Sequence, residues 1–237
     1  MQLFFVPNID SDFYTLNEEE SHHCVKVLRL AVGDSVSVSD GKGTLCHCTI
    51  MEAHPKHCLL KVDERIENHE RHAFHLHVAV APTKNTARME WFVEKAVEMG
   101  IDEITPIICD HSERCVLRQE RLQKIAVSAM KQSLKTFMPL INEPVNLNNF
   151  ISNLNPIEPK SQRFIAYCDG DHRTPLHEIY QPGHNALILI GPEGDFSTQE
   201  IESALAAGFH PVTLGQYRLR TETAALAATA FFNLVTN

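Results

Sequence analysis

The chain has 237 residues, of which 43% are hydrophobic, with 21 Lys and Arg against 30 Asp and Glu; this excludes a disordered or fibrous chain and suffices for one large or two modest domains. A formal charge of −9 argues against indiscriminate coating of nucleic acid, whose non-specific affinity comes from Lys and Arg neutralising phosphates, but leaves room for a local basic face. No apolar run approaches the ~20 residues of a membrane-spanning helix, and the start, MQLFFVPNID, lacks the pattern of a signal peptide, so the expectation is a cytoplasmic protein without a membrane partner.

The first 72 residues read as β. Ser35 to Ser39 alternates with period two, Asp40-Gly41-Lys42-Gly43 is a hairpin-type turn, and Thr44 to Ile50 and Leu59 to Val62 continue as strands, which together predict a small β-barrel. The charged run Glu64 to His72 has no apolar period and reads as a linker, dividing the chain into domains 1–72 and 73–237. Beyond it strands and helices alternate: strand His75 to Ala81, a helix with Met89, Phe92, Val93, Ala96 and Val97 on one face and Gly100 closing it, strand Ile104 to Cys109, and helix Gln119 to Leu134. Asn142 to Pro159 reads as a surface connection. Strands Phe164 to Cys168 and Ala186 to Ile190 follow, then a capping box at Ser197 to Glu200 opening a helix that Gly208 ends, strand Val212 to Leu214, and an Ala-rich helix from Thr221 to Leu234. The class is α/β, and the all-apolar strand at 186–190 suits a parallel sheet covered on both faces.

Two segments stand out. In Leu187 to Phe196, LILIGPEGDF, a buried strand runs into a loop with two glycines before a capped helix. Leu214 to Ala224, LGQYRLRTETA, repeats the scheme with two arginines, two threonines and a glutamate. Ligands of open α/β sheets bind at the carboxyl ends of strands, where glycine lets the backbone come close. Each loop alone reads as an ordinary turn, with Thr221 and Thr223 as helix caps; two such loops on one sheet favour a single cleft. Neither a dinucleotide nor a P-loop glycine pattern is present.

These segments carry a resemblance. IGPEGDFS followed by LGQYRLRTETAA is similar to the C-terminal signature of the ribosomal RNA small-subunit methyltransferase E family, within the SPOUT superfamily. His23, Val27-Leu28-Arg29 and Gly33-Asp34 resemble the H…VLR…GD run of its PUA-like barrel, and Lys95 to Glu98 with Gly100 and Pro106 its KAVELG…P element. Asp195 stands where the family has a second glycine and Tyr217 where it has an arginine; Met130 to Lys135 carries lysines in place of the family's AEQS-x-R, and MQLFF lacks an early arginine.

The resemblance implies a C-terminal trefoil knot and methylation of uridine N3 in small-subunit (16S) ribosomal RNA, free or in the assembled subunit, by a homodimer. S-adenosylmethionine is the implied cofactor, held by Leu189, Gly191, Glu193, Gly194, Leu214, Gly215, Leu219, Thr221, Thr223 and Ala224. Arg220 is expected to stabilise the uridinate, with Glu222 orienting it or acting as base. For RNA contact, Arg114 to Lys135 gathers six basic residues, among them Arg118, Lys131 and Lys135, and the barrel offers His23, Lys26 and Arg29; solvated faces are the alternative. A SPOUT enzyme for another RNA position and a non-catalytic RNA-binding or ribosome-assembly protein are the rival readings.

The seven cysteines, an odd number in a large chain, fit reduced thiols. Cys46-His47-Cys48 has the wrong spacing for zinc, because C-x-C on a strand sends both thiols to one face, so no metal is expected and the cysteines read as small buried hydrophobes. Trp91, on the helix whose inner face holds Phe92 and Val93, reads as a packing residue rather than a base-stacking platform.

Overall fold

In the computed structural model, which describes residues 2–69, 72–168 and 173–236, the alternating segments near the amino terminus form strands. These are β1 (Leu3–Phe5), β2 (Phe13–Thr15), β3 (Ser35–Ser39), β4 (Leu45–Glu52) and β5 (Leu59–Ile66), with α1 (Glu18–His22) and a π-helical turn, His23–Val27, between β2 and β3. Their order is β1-β3-β4-β5-β2; β1 and β3 are parallel and the other pairs antiparallel. No ladder joins β1 to β2 among the described residues, so the expected barrel is, in its hydrogen bonding, an open five-stranded order. Its core gathers Phe4, Leu16, Val36, Val38, Ile50 and Leu60 around four cysteines, 24, 46, 48 and 58. Burial pushes the Cys24 and Cys48 thiols up to about 12, so they sit there as neutral, small apolar groups.

Two expectations change in this region. The supposed linker begins as strand: Glu64, Arg65 and Ile66 pair with His47, Cys46 and Leu45. Backbone bonding extends the strand although Asp63 to Arg65 are exposed, so no apolar period announces it; residues 70 and 71 of that run lie outside the described ones. Second, the chain divides into one unit of Met1–Arg71 with Val127–Met138 and another of His72–Ala126 with Pro139–Asn237, so 127–138, assigned above to the second domain, groups with the first. The turn at 40–43 explains it. Met138 N–H donates to Gly41 O at 2.8 Å and Gly43 N–H to Thr136 O at 2.9 Å. A Cβ on Gly43 would stand 2.3 Å from the Phe137 ring, so the turn is also a seat. Ser39 reaches Thr136 O and is fully buried, which hides the serine face that alternation assigns to solvent.

The second unit is built from β6 (Leu76–Val80), α2 (Thr86–Glu98), β7 (Glu103–Ile108), α3 (Gln119–Gln132, ending in the first unit), β8 (Leu140–Ile141), β9 (Val145–Asn146), α4 (Leu147–Ser152), β10 (Ser161–Ala166), β11 (Thr174–Pro175), α5 (Leu176–Ile179), β12 (Asn185–Ile190), α6 (Thr198–Ala206), β13 (His210–Thr213) and α7 (Thr221–Thr236). The connection expected at 142–159 thus holds β9 and α4, too short for periodicity to reveal. The sheet order is β11-β13-β10-β12-β6-β7-β8, with β9 also on β7, and every pair is parallel. Helices cover both faces: α7 packs on α2, β6 and β12, and α4 on α6 and β7. Ile107, Ile165, Leu189, Phe196 and Phe209 fill the α4–α6 side, while Phe232 of α7 meets Phe164 and Tyr180. Trp91, read as a packing residue, leaves 43% of its surface exposed. No described helix is long and apolar enough to cross a membrane.

Candidate active site

Because all the strands of the second unit are parallel, their carboxyl ends bring several loops to one edge of the sheet. The loop after β12, residues 191–195, is the one to which the others attach. The Lys84 amide, beyond β6, donates to Glu193 Oε1 at 3.2 Å. His111, beyond β7, places Nδ1 3.1 Å from Gly194 O and 3.0 Å from Asp195 O. Cys168 N–H, beyond β10, donates to Asp195 Oδ2 at 2.7 Å. From the loop after β13, Arg218 Nη2 reaches Glu193 O at 3.4 Å, and the buried Thr221 hydroxyl donates to Gly191 O at 3.0 Å. Below the loop the capping box at Ser197 forms as expected, and Glu200 also accepts the Asp110 amide at 2.9 Å. Burial, with Glu200 second, pushes the adjoining Cys109 thiol above its usual range, so it is no nucleophile.

Between these loops lies a cleft of about 950 Å³, walled by Ala166–Cys168, Arg173, Ile190–Glu193, Asp195 and Val212–Thr221 with Ala224. Seven of the ten expected cofactor residues line it: Gly191, Glu193, Leu214, Gly215, Leu219, Thr221 and Ala224, joined by Arg220. The other three do not. Leu189 is a core side chain packed with Ala79, Ile107 and Ile165, because alternation on β12 turns it into the sheet. Gly194 lies against His111, where a Cβ would stand 3.0 Å from His111 Cβ, and Thr223 points to solvent on α7. Glu222 is also absent: it is 7% exposed, its Oε1 lies 3.6 Å from Arg88 Nε and its Oε2 is buried without a partner. One helical position past Thr221 rotates it about 100° away.

Ala166–Cys168 and Arg173 on the cleft wall were not among the expected site residues, although Ala166–Cys168 end a strand that was expected, and the carboxyl-end rule applies there as to the other two. Glycine's reason also differs from the expected one. At Gly191 an added Cβ would meet the Phe196 ring at 3.0 Å, so that glycine serves packing. Gly215, at φ +142° and with nothing within 4 Å of where a Cβ would stand, is the cleft glycine whose Cβ side is open to a ligand.

The basic residues separate by unit. In the second, Arg114 Nε donates to Lys84 O and Arg121 is forked onto Glu90, leaving Arg118 and Lys124 as exposed cations. In the first, Lys131 lies 2.5 Å from Glu20, a carboxylate only 8% exposed; it neutralises that buried charge and is no outward RNA contact. Lys135 and His23 are half-buried, the latter edge-on to Phe4, while Lys26 and Arg29 are exposed. Among the described residues no cluster of three His, Cys, Asp or Glu is arranged to hold a metal.

An RNA methyltransferase domain model matches residues 70–233 and an RNA methyltransferase PUA domain model residues 16–63. The crystal structure of a probable rRNA-methyltransferase from Porphyromonas gingivalis is 41% identical, with a TM-score of 0.92 over 100% of this chain and 98% of that one. A ribosomal RNA small subunit methyltransferase E from Neisseria gonorrhoeae, solved bound to S-adenosyl methionine, is 26% identical with a TM-score of 0.86, covering 99% and 97%. The protein of that name from Buchnera aphidicola is 26% identical over 92% of this chain and 86% of its own length. The RNA methyltransferase model over most of the chain, the fold shared with the two solved structures and the cleft framed by the two signature loops place the chain in the ribosomal RNA small-subunit methyltransferase E family of RNA methyltransferases.

Proposed function

We propose that the protein transfers a methyl group from S-adenosylmethionine to N3 of a uridine in small-subunit ribosomal RNA. The observation that carries this is the single cleft in which loops 191–195 and 214–221 meet, in a chain of this family. The residues fit the cofactor: apolar side chains of Ile190, Val212, Leu214 and Leu219 alternate with loop backbone, Gly215 allows close approach, and the volume lies within the ~300–1,000 Å³ usual for such ligands. Bound there, the cofactor would supply its methyl as an electrophilic sulfonium substituent.

The chain's own groups supply position and charge. Arg220 is exposed at the cleft, so its guanidinium is available for two hydrogen bonds to the anion that uridine becomes as N3 loses its proton. Glu222 is turned inward onto Arg88, so the proton acceptor is Glu193, an exposed carboxylate on the cleft wall. For RNA, Lys26 and Arg29 on the first unit and Arg118 on the second are exposed cations able to meet phosphates.

The same reading includes a trefoil knot, a homodimer and a cytoplasmic location. The knot is supported by β12 and β13 entering on either side of β10 and by the Thr221 and Arg218 bonds that tie the later loop to the earlier. The dimer is supported by apolar exposure on two packed helices, Trp91 on α2 and Leu234 and Val235 on α7. Sedimentation at the monomer mass at all concentrations would remove it. Titration calorimetry is expected to show binding of S-adenosylmethionine and S-adenosylhomocysteine but not NADH, and ribosomal nucleosides from cells lacking the gene are expected to lose 3-methyluridine. Absence of both effects would sink the function.

A further inference from the structure

Asp195 has φ +63°, the left-handed region that glycine enters freely and that a residue with a Cβ enters at a cost. Its carboxylate makes use of the position. Oδ2 accepts the Cys168 amide at 2.7 Å and Oδ1 the Phe196 amide at 2.9 Å, while His111 approaches its carbonyl. The Phe196 bond is local, made to the amide of the very next residue. The Cys168 bond is different in kind, because it joins residues 27 apart and ties the segment after β10 to the loop after β12. Both Cys168 and Asp195 line the cleft.

We propose that Asp195 is a positioning residue for the cofactor cleft, its carboxylate clamping the Ala166–Cys168 wall to the 191–195 loop. The inference rests on the reading that this cleft holds S-adenosylmethionine. An ionised acceptor grips backbone amides more strongly than a neutral one, and a wall ordered in advance lowers the ordering cost of binding. Losing the clamp therefore weakens the cofactor complex and leaves the chemical step, once the cleft is saturated, unchanged.

The test uses the full chain, with S-adenosylhomocysteine titrations, single-turnover methylation at saturating S-adenosylmethionine and melting of the ligand-free protein. Asp195→Ala is expected to raise the Kd for S-adenosylhomocysteine about tenfold or more while the saturated rate stays within about twofold. Asp195→Asn is expected to recover part of the affinity, since its amide oxygen can still accept the Cys168 N–H without the charge. Asp195→Gly relieves the backbone and is expected to melt at or above Asp195→Ala, yet to bind as weakly; with Asn it carries the test if the alanine variant does not fold. Wild-type affinity in both the Ala and Gly variants would overturn the proposal. So would restoration by Gly of the affinity lost in Ala, which would make the backbone, not the carboxylate, the determinant. A wild-type protein that fails to bind S-adenosylhomocysteine would instead overturn the cofactor assignment beneath it.

Discussion

The two glycine-bearing loops at the edge of the parallel sheet read alike in the sequence and are built to opposite ends. Loop 191–195 is a frame: bonds from the segments beyond β6, β7, β10 and β13 converge on it, and a Cβ added at Gly191 or Gly194 would stand only 3.0 Å from Phe196 or His111. Loop 214–220 is a rim, with open space where a Cβ on Gly215 would stand, Tyr217 84% exposed, and Arg218 and Arg220 exposed on the cleft. The same residue type marks close packing in one loop and open access in the other, so glycine content alone does not identify a ligand loop.

Substitutions can break this contrast. The largest effect is expected on the rim: Arg220→Ala should slow single-turnover methylation by about two to three orders of magnitude, the scale for losing one preorganised charge stabiliser, with melting temperature and cofactor affinity unchanged. Arg220→Lys should recover only part, since an ammonium lacks the planar two-pronged donor geometry; a normal rate for Arg220→Ala would remove it from catalysis.

In the frame the damage should fall on stability. Gly191→Ala drives a methyl into the buried Phe196 ring and should cost about 1–3 kcal/mol by denaturant unfolding. Adding Phe196→Leu should return part of that loss, because the clash has a partner that can shrink. Gly215→Ala is strained by its φ alone, so no neighbouring substitution should rescue it, and a rescue would show that the rim is packed after all. Thr221→Val, the link between the loops, leaves the Gly191 carbonyl short of a buried donor and should cost about 1 kcal/mol. Tyr217→Ala, at the exposed tip, should stay within about 0.5 kcal/mol of wild type.

Much of this was present in the sequence. Ser35 to Ser39, the capping box at Ser197 and the start of α7 at Thr221 appear at their expected residues, because period, cap chemistry and glycine placement are local properties that neighbouring residues express wherever the chain goes. The family motifs likewise named most of the cleft wall. What the sequence could not determine depended on partners far along the chain. That residues 127–138 belong with the first unit follows from Phe137 filling the space above Gly43, and Lys131, basic in any reading of the chain, is committed to Glu20 by a fold that buries that carboxylate. Glu222 and Arg220 lie two residues apart, yet a helix begins between them and turns one toward Arg88 and leaves the other at the cleft. Sequence spacing records which groups are near each other along the backbone; only tertiary packing decides which of them keep water, find a counter-charge or face a ligand, because burial and pairing are properties of the space between elements.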